Sequence, residues 1–318
     1  MASEFEFISI IKSKYSLTKV GDDCAILPKD ANTDLLLTAD MLMEDIDFRL
    51  EWTTPEFLGH KALAVSLSDV AAMGGESKWA MLSIGVSENL WKTDFLDRFY
   101  AGWFALAGRY SVELVGGDVS RSPDKLVIDS IVGGEVGKNL ALLRSTANPG
   151  DQIYVTGTLG GAAGGLKLLE DGSRYDGELL ESKKKLILKQ LQPIPQIHES
   201  NILYNLGIVT SLIDISDGLS SDLGHLCKQS GVGAKIDAKK IPVDKSLAAH
   251  FPSDEGLQMA LSGGEDFELL LTVGKKNISQ LASLNVTHIG EVTSNVGIME
   301  LIHSNKTEIL EPKGYRHF

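Results

Sequence analysis

From Ala62 to Met73 the chain is built of Ala, Leu, Val, Ser and Met, with a single charged residue, Asp69. A helix over residues 56–73 would be apolar nearly all round, and such a helix is stable only when it is buried. Asp69 would be buried with it. Its helical neighbours three and four residues away are Val65, Ser66, Ala72 and Met73. None is cationic, so no local side chain offsets the carboxylate, and positive charge must come from elsewhere in the chain or from a bound cation. The alternative is that Ser68 or Asp69 caps a second, shorter helix. The stretch alone leaves both open, but either way the fold must enclose it.

A chain of 318 residues, 43% hydrophobic and 23% charged, is long enough for two domains with proper cores. No apolar run is long enough to cross a bilayer, and the first residues carry acids where a signal peptide carries bases, so the expectation is a cytoplasmic protein. Cys24 and Cys227 form no Cys-x-x-Cys pair and read as reduced thiols. A net charge of −13 argues against nucleic acid or an anionic membrane as partner. An acidic protein that handles phosphates must first gather cations, and carboxylate-bound divalent metals would do so.

Periodicity predicts strands over 35–39, 79–86, 112–115 and 126–132, with helices over 56–73 and 90–110 between them. Phe95, Phe99, Trp103 and Ala107 fall on one row of the second helix and read as a core stripe. A turn cluster at 144–151 marks a domain boundary, giving domains at 1–143 and 144–318. The second half restarts with a strand over 152–156. It continues through a glycine-rich loop, a helix from about 161, a lysine-rich helix ending before Pro193, a strand-turn-helix over 211–228, and strands over 234–237, 267–273 and 288–292. The fold class is α/β of the α+β type.

One pattern recurs, an apolar strand followed by a small residue and an aspartate: Asp40, Asp118, and Asp214 with Asp217, joined by Asp22-Asp23 near the start. Ligands of open α/β sheets bind at the carboxyl ends of strands, so together these acids point to one site, although any one of them alone reads more readily as a turn former or cap. Oxygen ligands without clustered His or Cys select hard cations such as Mg2+. The doublets Gly116-Gly117 and Gly263-Gly264 would let backbone N–H groups approach phosphate oxygens. The loop over 157–167 fits neither the dinucleotide nor the Walker A spacing and reads as close helix–strand packing.

Gly21-Asp-Asp-Cys-Ala25, Thr38-Ala-Asp40, Lys61 through Gly74 with its Ser-Leu-Ser-Asp69, Val115-Gly-Gly-Asp118, Ile213-Asp-Ile-Ser-Asp-Gly218, Leu261-Ser-Gly-Gly-Glu-Asp266 and the ending Gly314-Tyr-Arg-His-Phe318 resemble the thiamine-monophosphate kinase family in order and spacing. That family belongs to the superfamily typified by aminoimidazole ribonucleotide synthetase. The resemblance implies two α/β domains, the first pairing its sheet with a second subunit in a homodimer. It implies ATP and several Mg2+ ions, with thiamine monophosphate as acceptor. Its metal ligands fall on Asp23, Asp40, Asp69, Asp118, Asp214 and Asp217, with Thr38 and Ala39 beside Asp40. Its nucleotide contacts fall on Tyr100, Gly117, Asp118, Arg144 and Ser216, and its substrate contacts on Asp47, Glu265 and Tyr315. No residue is implied as general base or nucleophile. Many relatives carry His at Asp47 and Asp or Asn at Arg316. Another ATP-dependent enzyme of the superfamily, or a silent nucleotide-binding maturation protein, are the competing readings, and six intact acids weigh against the second.

Overall fold

The buried helix is one continuous element. In the computed structural model, which describes residues 4–304 and 306–315, it is α2 (Pro55–Ala72), preceded by α1 (Glu4–Lys14), β1 (Ala25–Pro28) and β2 (Thr33–Met43). Thr54 caps its start, accepting from the Phe57 N–H at 3.2 Å, and Pro55 supplies the fixed φ of a first helical residue. Neither Ser68 nor Asp69 caps a second helix, because the helix runs through both. It is followed by β3 (Glu76–Val86), α3 (Glu88–Trp91), α4 (Phe95–Tyr110), β4 (Glu113–Arg121) and β5 (Val127–Gly137). The helix expected over 90–110 is thus two, broken where Thr93 turns its hydroxyl onto the Leu90 carbonyl and accepts from the Phe95 N–H.

The five strands pair in the order β1-β2-β5-β3-β4, leaving β4 on an edge. On β2 the even-numbered residues Leu36, Thr38 and Leu42 are buried against α2, while Met41 and Met43 stand exposed on the other face. Asp40 and Asp118 lie inside their strands instead of ending them. β2 stays paired with β5 as far as Met43 opposite Val127, and β4 with β3 as far as Arg121 opposite Val86.

The second sheet is formed by β6 (Gln152–Thr156), β7 (Val209–Ile215), β8 (Gly233–Asp237), β9 (Glu268–Val273), β10 (Val286–Thr293), β11 (Met299–Ile302) and β12 (Thr307–Ile309), in the order β12-β11-β8-β10-β6-β9-β7. Helices α5 (Gly161–Glu170), α6 (Glu181–Leu191), α7 (Ile197–Leu206), α8 (Leu219–Ser230) and α9 (Ser253–Ser262) pack about it. The last two strands carried no clear signal in the sequence. The glycines of the 157–167 loop do serve close packing, but against helices: a Cβ at Gly165 would strike the Leu186 carbonyl on α6, and one at Gly160 the backbone of α9.

Helix α2 joins the halves. One side lies on the first sheet and α4, and the other meets β7 of the second sheet with α6 and α7. The crossing with α4 is backbone to backbone. A Cβ at Gly59 would collide with the Phe99 carbonyl, and one at Gly102 with Glu56. The expected stripe Phe95, Phe99, Trp103 and Ala107 fills the space around that crossing. Replacing Gly59 by Ala should therefore lower stability by about 1–3 kcal/mol, read as a drop in Tm. Gly108→Ala, in the same helix layer with open space around it, should be neutral or stabilising by up to about 1 kcal/mol.

Candidate active site

Three elements bring acids together beneath the inner face of the first sheet. β2 presents Thr38 and Asp40, α2 presents Ser66, Ser68 and Asp69, and β7 presents Asp214. Asp23, from the turn before β1, completes the group, and carboxylate oxygens of Asp23, Asp69 and Asp214 lie within 4.8 Å of one another. Hydroxyls brace three of the acids: Thr38 donates to Asp69 at 2.5 Å, Ser66 to Asp40 at 2.7 Å, and Ser68 to Asp214 at 2.5 Å. Arg144 is the cation beside them, bonded through Nη2 to Asp23 and through Nε to Asp22 at 3.2 Å.

Burial pushes all four carboxyls upward. Neighbouring acids push Asp23, Asp40 and Asp69 further, and the Arg144 charge and the hydroxyl donors only partly reverse this. Asp40 rises to about 6, and Asp23 and Asp69 go well above the usual carboxylate range. One guanidinium shared with Asp22 does not neutralise the cluster, which sits above its relaxed energy unless a further cation is supplied. Asp23 Oδ2 is buried with no hydrogen-bond partner. An orphaned carboxylate oxygen within reach of two other acids, with oxygen as the only donor type, suits a hard divalent cation and fits Mg2+.

A cavity of about 570 Å3 opens onto this cluster through Asp40. Its lining includes Ser216 and Asp217 after β7, Glu265 and Tyr315, and apolar side chains such as Leu58, Leu166 and Leu169. The Tyr315 N–H donates to the Asp217 carbonyl at 3.1 Å, which draws the C-terminal segment over the cavity; residues 316–318 of the terminal motif lie outside the described residues. Asp47 also lines the cavity, but its carboxylate accepts from the Met43 N–H at 2.7 Å and closes its own turn.

The structure thus unites Asp23, Thr38, Asp40, Asp69, Asp214 and Arg144 in one cluster, and Asp47, Ser216, Asp217, Glu265 and Tyr315 in the adjoining cavity. Ala39 turns its methyl to the face of β2 opposite the acids, but its backbone lies between Thr38 and Asp40 of the cluster. The other three candidates stand apart. Gly117 and Asp118 are on the exposed edge strand β4, where Gly117 has φ +151° and a Cβ would strike the Leu82 carbonyl. Tyr100 packs on α4 edge-on to Phe99, with centroids 5.6 Å apart, outside the cavity lining. The residues missed in the sequence are Ser66 and Ser68, together with Lys61 and Gln190, whose side chains both reach Glu265. The serines had a signal, since hydroxyls in an otherwise apolar helix need partners.

Comparisons with known proteins bear on the whole chain. Residues 21–136 match the model of the AIR synthase related protein N-terminal domain, and residues 148–300 that of the C-terminal domain. The thiamine-monophosphate kinase of Buchnera aphidicola subsp. Acyrthosiphon pisum is 40% identical over 99% of both chains. That of Escherichia coli K12 is 37% identical over 94% of this chain and 91% of its own length. A solved structure described as AaThiL complexed with AMPPCP and TMP superposes with a TM-score of 0.88, at 34% identity, over 99% of this chain and 97% of that one.

Asp69→Asn keeps the shape of the side chain and removes its charge. Turnover should fall by at least about 100-fold, while the Tm of the metal-free protein holds or rises, because a costly buried charge has been removed. Normal turnover with a lowered Tm would give Asp69 a purely structural role.

Proposed function

The chain belongs to the AIR synthase related family and, within it, to the thiamine-monophosphate kinases, and from that premise we propose that it passes the γ-phosphoryl group of ATP to thiamine monophosphate by direct in-line transfer at the Asp cluster. The observation that carries the proposal is the juxtaposition of buried, under-neutralised oxygen ligands with a cavity large enough for a drug-sized molecule. Asp23, Asp40, Asp69 and Asp214, with Thr38 and Asp217 alongside, would hold Mg2+. When bound, the ions would supply the positive charge that lets a phosphate approach a triphosphate.

The protein's own groups do the rest. The acceptor phosphate has a second pKa near 6 and is mostly dianionic at pH 7, so its oxygen needs no general base. No Asp is therefore assigned as base or nucleophile. Arg144, held by Asp22 and Asp23, brings a delocalised cation to the phosphate end, where planar paired N–H groups suit phosphate oxygens. Ser216 and Asp217 stand where the cavity meets the cluster. The apolar lining with Glu265 and Tyr315 accommodates the organic part of the acceptor and excludes the water that would otherwise take the phosphoryl group.

The functional unit is proposed to be a two-fold dimer. Met41, Met43 and Met81 stand exposed on the outer face of the first sheet, and Val115 and Val119 on its edge strand, 39–57% exposed in all. An unpaired apolar edge is an aggregation hazard unless another chain covers it. Gly117 and Asp118, which stand apart from the acid cluster within one chain, lie on this edge strand and would enter the site from there.

Incubating the protein with ATP, Mg2+ and thiamine monophosphate should yield thiamine diphosphate, identified by phosphorus NMR. Chelation should abolish the product, and Mg2+ without added zinc should restore it. Absence of thiamine diphosphate, or stoichiometric zinc in the active protein, would refute the proposal. In sedimentation velocity the active species should run as a dimer. A fully active monomer at micromolar concentration would remove the shared-sheet assembly.

A further inference from the structure

Lys61 is the one charged residue on the first half of α2 that is fully buried, at 3% exposure, and no part of the chemistry above uses it. Its helical neighbours three and four residues away, Phe57, Leu58, Ala64 and Val65, carry no acid. Its counter-charge comes from the other half of the molecule. The ammonium lies 2.7 Å from Glu265 Oε1 and 2.8 Å from Oε2, and donates to the Asp47 carbonyl at 3.4 Å. Both carboxylate oxygens of Glu265 are within ion-pair distance, so the charge of Lys61 is directed at a protein acid.

What it does is fix Glu265. That residue has φ +66°, a backbone setting rare for a side chain of this kind, directly after Gly263-Gly264 and before Asp266. Its carboxylate has about four acceptor positions. Two on Oε2 are taken by Lys61 and by Gln190 of α6, while Oε1 is in ion-pair contact with Lys61. Oε1 keeps acceptor capacity, and the side chain is 28% exposed in the cavity wall. The ion pair is neutral as a unit, so a ligand meets an oriented acceptor instead of a bare negative charge.

We propose that Lys61 is the positioning residue of the acceptor pocket, clamping Glu265 and the Asp47 turn so that one acceptor position faces the cavity and selects a ligand carrying an exocyclic amine on an aromatic ring. The inference rests on the substrate reading above, in which that amine belongs to the aminopyrimidine of thiamine monophosphate. A structural tie between the domains would also use Lys61, but it would lower stability without changing which ligand is preferred.

The test compares wild type, Lys61→Met and the double variant Lys61→Met/Glu265→Gln, which removes both charges at similar volume and keeps the question open should the single variant not fold. Lys61→Met should raise the KM for thiamine monophosphate about 10- to 100-fold, the range for a hydrogen bond to a charged group. The KM for ATP and the kcat at saturation should stay within about twofold. Wild type should prefer thiamine monophosphate over the analogue whose pyrimidine amine is replaced by oxygen, and that preference should collapse in Lys61→Met. The double variant should be no worse than the single, because the two side chains act as one unit. An unchanged preference, or an equal rise in both KM values, overturns the clamp. If wild type does not turn over thiamine monophosphate, the substrate reading has failed. Calorimetric titration of both proteins with the amine and oxygen analogues then still decides the clamp: a ratio unaltered by the substitution refutes it.

Discussion

Everything in this molecule depends on keeping one apolar helix, α2, dry on all sides while it carries Lys61 and Asp69. A helix of this composition has no solvent face, so one sheet cannot satisfy it. The first sheet with α4 covers one side and β7, α6 and α7 cover the other, which is why two α/β units are packed into one body. Because the helix lies between the units, polar groups on it face partners from both. Ser68 meets Asp214 of β7, Thr38 of β2 meets Asp69, and Lys61 meets Glu265 in the loop before β9. The Asp cluster is therefore built from elements of both sheets around α2, and a shift of one sheet against the other would pull its acids apart.

Burial is costly for those acids and also makes them useful. Four carboxylates in a low-dielectric pocket with one shared guanidinium hold protons more tightly than free acids do. A cation that displaces those protons relieves repulsion already present in the fold, so part of its binding energy comes from the folded protein itself. The hydroxyls of Thr38, Ser66 and Ser68 each take one lone pair of an acid and fix the direction of the others. Arg144 is placed differently from an isolated phosphate-binding arginine. Its bonds to Asp22 and Asp23 hold it at the edge of the cluster, where it faces negative charge on both sides.

Much of this was legible in the sequence because it followed from charge and periodicity. Asp69 stood out as an acid with no local counter-charge, and the same test applied to Lys61 would have found the second buried charge of the helix. The strands and helices that were expected followed the period-two and period-3.6 patterns, except where a side chain redirected the backbone, as Thr93 does between α3 and α4, while short elements such as α1, β1, α7, α9, β11 and β12 gave no such signal. Asp40 and Asp118 did not mark strand ends, because pairing across a sheet extends strands beyond what local composition indicates, whereas Asp214 and Asp217 do fall at the end of β7. Asp47 shows a further limit. A carboxylate beside a cavity has its own backbone to satisfy, and here the Met43 N–H engages it.

The glycine-rich stretch before α5 shows how a helix N-terminus can be withdrawn from ligand binding. Its free N–H groups form an anion site by default. Here the Gly160 and Ala162 N–H groups donate to the carboxylate of Asp266, at 2.6 and 3.1 Å, so the anion is supplied by the protein. Asp266 is buried, and desolvation outweighs those two bonds and lifts its carboxyl to about 6. Next along the chain, Phe267 has φ +50°, and Glu268 is pushed by burial to about 7 while bonded to Thr156. An energetically costly segment of this kind persists only when its surroundings over-determine it. Asp266 anchors it to α5, Glu268 anchors it to β6, and between Gly264 and these anchors the chain turns Glu265 outward onto Lys61. The glycine-rich loop thus acts as a buttress that, with Asp266 and Glu268, sets the direction of the Glu265 carboxylate in the cavity wall.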